Sequence, residues 1–171
     1  MSPNDQEPVS AQLRADIEAK LLAYTRGIDR LDGELIAAAF HPEAQLEGYG
    51  RPEAMPIEAF IEYAVPSLRE GYRATQHQIS NVTIEPRGEY VATETYVLAT
   101  HLRTGTDGAP DQLLTFAGRY IDRFEDRDGE LRIAHRSLRN DWSKIEEVAQ
   151  AMPGAYVAGS RDTSDISYPQ A

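Results

Sequence analysis

Residues 112–142 read QLLTFAGRYIDRFEDRDGELRIAHRSLRNDW. Apolar and polar residues alternate on both sides of Asp128-Gly129, a pair that favours the tight reversal of a β-hairpin. The stretch therefore predicts two long antiparallel strands, Gln112 to Glu125 and Glu130 to Trp142. Two more alternating runs precede them, Tyr72 to Glu85 and Tyr90 to Arg103, separated by turns at Pro86-Arg87-Gly88 and Gly105 to Pro110. Upstream the period changes from two to 3.6. Ile17, Leu21, Tyr24, Ile28 and Leu31 recur at spacings of four and three, the apolar stripe of an amphipathic helix that Ser10 can cap. Gly27 costs that helix stability without ending the pattern.

Asp32-Gly33 reads as a turn whose aspartate caps a short second helix through Ala39, which His41-Pro42 stops. Ala44 to Tyr49 predicts a short strand. Ile57 to Leu68 predicts a third helix with Ile57, Phe60, Ile61, Ala64 and Leu68 inward and a bend at Pro66. Helices first and a strand meander afterwards give an α+β domain, its helices covering one face of a curved sheet. The expected organisation is a loose arm over 1–9, the domain over 10–142 and an extension over 143–171. That extension begins with a short helix from Ser143 to about Met152 and ends in a polar tail suited to a subunit interface.

Composition narrows the function classes. A chain of 171 residues, 41% hydrophobic, buries one core. It has no cysteine, which removes disulfides and thiolate chemistry. A formal charge of -11 disfavours a phosphate-backbone partner, so nucleic acid is not expected. The N-terminus lacks a basic, then apolar, leader and no apolar run approaches ~18 residues, so the expectation is a cytoplasmic protein with no membrane partner. On that footing the glycosylation pattern Asn81-Val82-Thr83 is accidental. The histidines are scattered without metal-ligand spacing, so no metal is expected. Gly48-Tyr49-Gly50 lacks the strand-to-helix context of a phosphate loop, and there is no nucleophile elbow.

His77 shares a strand face with Thr75, Ile79, Asn81 and Thr83, a mixture of polar and apolar groups suited to a pocket wall. Taken alone it reads as a core histidine with one hydrogen bond or as a base. Asp29 sits at a helix C-terminus, where the dipole disfavours a negative charge. Tyr24 reads either as packing on the apolar stripe or as a hydroxyl donor. His41, between a helix and a proline, is expected in a surface turn, and His135 and Arg136 must point to opposite faces of their strand.

Three stretches carry a resemblance: YTRGIDRLDGELIAAAFHPEA at 24–44, ATQHQISN at 74–81 and GRYIDRFEDRDGELRIAHR at 118–136. Together they resemble the SnoaL-like branch of the nuclear-transport-factor-2-like superfamily over roughly residues 12–142. The resemblance implies a cone-shaped α+β barrel, three N-terminal helices on a strongly curved, mostly antiparallel sheet. Within the branch the Asp29 and His77 pair is similar to a subgroup of lyases that includes scytalone dehydratase, hexachlorocyclohexane dehydrochlorinase and bile-acid dehydratase. These use no metal or organic cofactor. In that subgroup a histidine on the strand after the third helix takes a proton from carbon and an aspartate at the end of helix one supports it, which maps onto His77 and Asp29. A tyrosine five residues before the aspartate maps onto Tyr24, an arginine on the last strand onto Arg136, and, more loosely, a second histidine onto His101.

The resemblance thus implies a cofactor-independent lyase of dehydratase, dehydrohalogenase or formaldehyde-releasing type acting on a small hydrophobic or aromatic ring-bearing substrate. Catalysis would fall to His77, Asp29 and Tyr24, and substrate binding to Arg136, Tyr49 and His101. Tyr24 or Tyr49 could donate to a departing oxygen, and Arg136 could hold an anion. The alternatives are an isomerase or polyketide cyclase on the same pocket, or a noncatalytic ligand-binding or oxygenase-subunit module. Homo-oligomers, dimers or trimers, are expected of the superfamily.

Overall fold

A computed structural model describes residues 8–148 and 157–168. The order of elements is α1 (Ala11–Arg30), α2 (Gly33–Ala37), β1 (Phe40–Glu47), β2 (Met55–Pro56), α3 (Ile57–Gly71), β3 (Ala74–Arg87), β4 (Tyr90–Arg103), β5 (Asp111–Arg127) and β6 (Glu130–Val148). The strands form one open, six-stranded sheet in the order β2-β1-β6-β5-β4-β3, antiparallel throughout except where β1 runs parallel to β6. Three helices packed against this curved sheet make an α+β cone. No helix among the described residues is long and apolar enough to cross a membrane.

The N-terminal helices form as their caps dictate. The Ser10 hydroxyl accepts from the Leu13 N–H at 3.1 Å, and the Asp32 carboxylate accepts from the Leu35 N–H at 3.0 Å. The stripe Ile17, Leu21, Tyr24 and Ile28 is buried together with Ile36, Phe40, Phe60, Val97, Tyr120 and Phe124. Gly27 stands where α1 crosses α2. A Cβ built there would come within 2.7 Å of the Ile36 side chain and 2.8 Å of its backbone nitrogen. The helix-weakening residue is therefore what lets the two helices meet.

Several expectations are corrected. β6 continues as strand to Val148 instead of turning helical at Ser143, because the early residues of β5 offer a ladder partner as far as Asp111 against Val148. The rest of the expected helix, 149–152, and most of the arm, 1–7, lie outside the described residues. His41 is buried within β1, its Nε2 paired with the Glu125 carbonyl at 2.9 Å. Pro42 is tolerated there because the β1–β6 pairing is irregular between Phe40 and Gln45. A bulge between Ser80 and Thr83, with Asn81 at φ 51°, breaks the alternation of β3, so Thr83 pairs with Glu94 and leaves the face that carries His77.

The deepest polar feature is an ion pair. Arg136 and Asp122 have fully buried side chains, and Nε and Nη2 of Arg136 each donate to an Asp122 oxygen at 2.7 Å. The guanidinium lies 4.3 Å from the Tyr24 ring centroid and 4.1 Å from that of Tyr120, so cation–π contacts add to the pair. Burial alone would lower the pKa of Arg136; the charge and hydrogen bonds of Asp122 outweigh it and hold the group well above its ordinary value.

Two outcomes are expected in urea unfolding. Gly27→Ala should destabilise by about 1–3 kcal/mol, since overpacking against Ile36 outweighs the ~1 kcal/mol helix-propensity gain. Asp122→Leu should cost about 3–5 kcal/mol by stranding a buried cation, and adding Arg136→Met should restore much of that loss.

Candidate functional site

The site forms where the end of α1 meets the start of β3. β3 is the edge of the sheet, so it carries backbone groups with no ladder partner on its outer side. The last turn of α1 covers this edge with Asp29. One carboxylate oxygen, Oδ2, accepts from the His77 backbone N–H at 2.9 Å. The other, Oδ1, accepts from the Thr75 hydroxyl at 3.0 Å and stands 2.7 Å from His77 Nδ1. The dipole penalty of an aspartate at a helix C-terminus is thus offset by three donors from one strand.

The geometry fixes the histidine. With Nδ1 donating to an ionised carboxylate, the neutral ring keeps its proton on Nδ1 and presents a lone pair at Nε2. No described residue hydrogen-bonds Nε2. The His77 side chain is 9% exposed and lines a cavity of about 490 Å³, a size suited to a small organic ligand. Tyr49, Phe60, Tyr63, Tyr72, Phe116 and Tyr120 give the cavity its aromatic wall.

Tyr24 and His101 line the same cavity. The Tyr24 and Tyr49 hydroxyls are 3.1 Å apart and share a hydrogen bond. Burial raises the pKa of Tyr24 and lifts Tyr49 well above the ordinary tyrosine value, so both stay phenols near neutral pH. The ring of His101 stands 5.3 Å from that of His77, edge to face, and 5.0 Å from that of Tyr72. Burial, followed by the neighbouring His77, lowers the pKa of His101 to about 4, so this second imidazole is neutral near pH 7.

Of the residues singled out by sequence, His77, Tyr24, Tyr49 and His101 converge on the cavity, with Asp29 behind His77. Arg136, expected to bind substrate, is fully buried and is not among the cavity-lining residues. It lies against Tyr24 and Tyr120 and is committed to Asp122. The carboxylate clamp of Thr75 and the wall residues Phe116 and Tyr72 were not singled out. The position of Thr75, two before His77 on one strand face, was the available signal for the first. Among the described residues no three His, Asp or Glu side chains cluster as metal ligands would.

Comparison with known proteins agrees with this architecture. The chain resembles a candidate scytalone dehydratase from Novosphingobium aromaticivorans at 24% identity, covering 85% of this chain and 95% of that one, with a TM-score of 0.64. A type 3 hexachlorocyclohexane dehydrochlorinase from Novosphingobium barchaimii superposes with a TM-score of 0.67 at 18% identity, covering 82% and 94%. A Mycobacterium tuberculosis protein of unknown function reaches 27% identity over 77% of this chain and 78% of that one, with a TM-score of 0.63. No curated protein matches the chain. Residues 9–137 match the SnoaL-like domain, and the chain therefore belongs to that family, within the nuclear-transport-factor-2-like superfamily.

Proposed function

We propose that this protein is a cofactor-independent lyase that eliminates water, halide or a small carbon fragment from a hydrophobic, ring-bearing molecule. The observation that carries this reading is the 2.7 Å contact of Asp29 with His77 Nδ1, which leaves Nε2 unpaired at the wall of an aromatic cavity. In the proposed reaction Nε2 takes a proton from an activated carbon, and the electrons of that C–H bond form the new double bond. The leaving group departs with its own bonding pair. Asp29 stabilises the imidazolium that results, and the proton then passes to solvent. Where the leaving group is hydroxide, the Tyr24 hydroxyl, in hydrogen-bond contact with Tyr49, protonates it and then regains a proton from solvent. The aromatic walls select flat apolar rings. The fold shared with a candidate scytalone dehydratase and a dehydrochlorinase supports the same reaction class.

One observation favours a second reading. The proton taken by His77 Nε2 stays at the wall of the same cavity, and its delivery from His77 to a different carbon of the bound molecule would make the protein an isomerase or cyclase. Product mass separates the two, since elimination loses atoms and isomerisation does not.

With a panel of ring-bearing alcohols and halides followed by mass spectrometry, His77→Ala should lower turnover about 10²–10⁴-fold, the usual worth of a general base. Undiminished turnover in His77→Ala rejects the base assignment. Asp29→Asn should give a comparable loss with KM little changed, because the carboxylate does not line the cavity. Tyr24→Phe should slow release of hydroxide-type leaving groups by about tenfold or more and leave halide release nearly unaffected, readable as a ratio between paired substrates.

A further inference from the structure

Residues 157–168 return to the molecule beyond the family domain and dock beside the Asp29 and His77 pair. Arg30 reaches the Ser160 carbonyl and stands 3.6 Å from Asp165, while Arg26 donates to the Ser167 carbonyl at 3.2 Å. In the centre of this contact is Arg161. Its Nε donates to the Asp29 carbonyl at 3.0 Å; Nη1 donates to the Leu68 and Tyr72 carbonyls at 3.2 and 2.9 Å; Nη2 donates to the Thr75 hydroxyl at 3.2 Å. One side chain thereby binds the end of α1, the end of α3 and the start of β3.

Two physical features make this more than a surface anchor. The C-termini of α1 and α3 converge here, each with end carbonyls that can accept a further hydrogen bond and with the negative end of its dipole, so a planar cation with forked donors serves both at once. Asp29 adds a full negative charge to the same place. The second feature is the direction of the hydrogen bonds. Because the Thr75 oxygen accepts from Arg161, its single proton is left for Asp29 Oδ1, the same oxygen that receives His77 Nδ1. A continuous chain therefore runs from Arg161 through Thr75 and Asp29 to His77.

We propose that Arg161 is a positioning residue of the site, which clamps the Asp29 end of α1 onto β3 and so holds the carboxylate on His77 Nδ1. It touches neither the aromatic cavity nor the imidazole. The functional part of the inference rests on His77 being the base; the clamp itself does not. The charged groups around the imidazole are few. α1 contributes Asp29, with Arg30 turned to Asp165; β4 contributes the neutral His101 and, on the cavity wall, Arg103; the C-terminal segment contributes Arg161.

The test uses the full chain and the imidazole proton signals of His77 in NMR. Wild type should show a carboxylate-bonded Nδ1–H resonance, protected from exchange with water. Arg161→Gln should speed that exchange by about tenfold or more, since opening of the α1–β3 contact is then no longer resisted. Thr75→Val should do the same. Arg161→Lys, which keeps the charge but loses the fork, should fall between. Arg26→Gln removes a different anchor of the same segment and should leave the signal unchanged. An unaltered Nδ1–H signal in a folded Arg161→Gln protein overturns the clamp, as does an equal loss in Arg26→Gln, which would reduce Arg161 to one anchor among several. On a turned-over substrate, Arg161→Gln should lower kcat about tenfold with KM unchanged. If His77→Ala keeps full turnover while Arg161→Gln still frees the Nδ1–H, the lyase reading fails and the clamp stands.

Discussion

The burial of one helix stripe against the concave face of an open sheet governs the rest of the molecule. Ile17, Leu21, Tyr24 and Ile28 place α1 across the cone. The same 3.6-residue period that buries Tyr24 over Arg136 carries Asp29, five residues later, out to the edge of β3. Core and site are consequently not separable layers. Gly27, two residues before Asp29, sets how closely the end of α1 packs on Ile36, and that spacing fixes where the carboxylate stands.

Polar groups are handled differently in two parts of the molecule. Beneath Tyr24 of α1, Asp122 of β5 and Arg136 of β6 are shut away from water and matched to each other. At the start of β3, Asp29 collects donors from backbone, hydroxyl and imidazole, and one imidazole nitrogen remains uncommitted. The first arrangement consumes its charges in structure. The second leaves a basic atom facing a cavity, which is the configuration in which an imidazole can do proton chemistry at neutral pH.

Much of this was legible in the sequence wherever a local rule decides. Asp128-Gly129 located the last hairpin, Ser10 and Asp32 located their helices, and the β4 boundaries at Tyr90 and Arg103 follow from alternation alone. What escaped depends on bulges and distant partners. Counting back from the hairpin sets Asp122 opposite His135, but one extra residue on β6, Ala134, opposite the Arg123–Phe124 step moves the pairing to Arg136. That slip turns an apparent ligand-binding arginine into half of a core ion pair. The bulge at Asn81 similarly removes Thr83 from the face of His77, and a run such as Ser143 to Val148, rich in Lys and Glu, becomes strand because β5 offers it a ladder. Arg161, in a polar tail with no periodicity, carries no local signal of what it binds.

The cavity is walled largely by α3 and the inner faces of β4 and β5, whereas the imidazole and its carboxylate are set by α1 and the first residues of β3. Under the proposed reaction, reactivity and selectivity therefore sit on different structural parts. Tyr63 and Ser67, on a helix that contributes no atom to the Asp29 contacts, can change shape or polarity without shifting the imidazole. If the proposed reaction holds, such modularity gives the scaffold room for divergence: substitutions along one helix would change which rings fit while the proposed base stays in place.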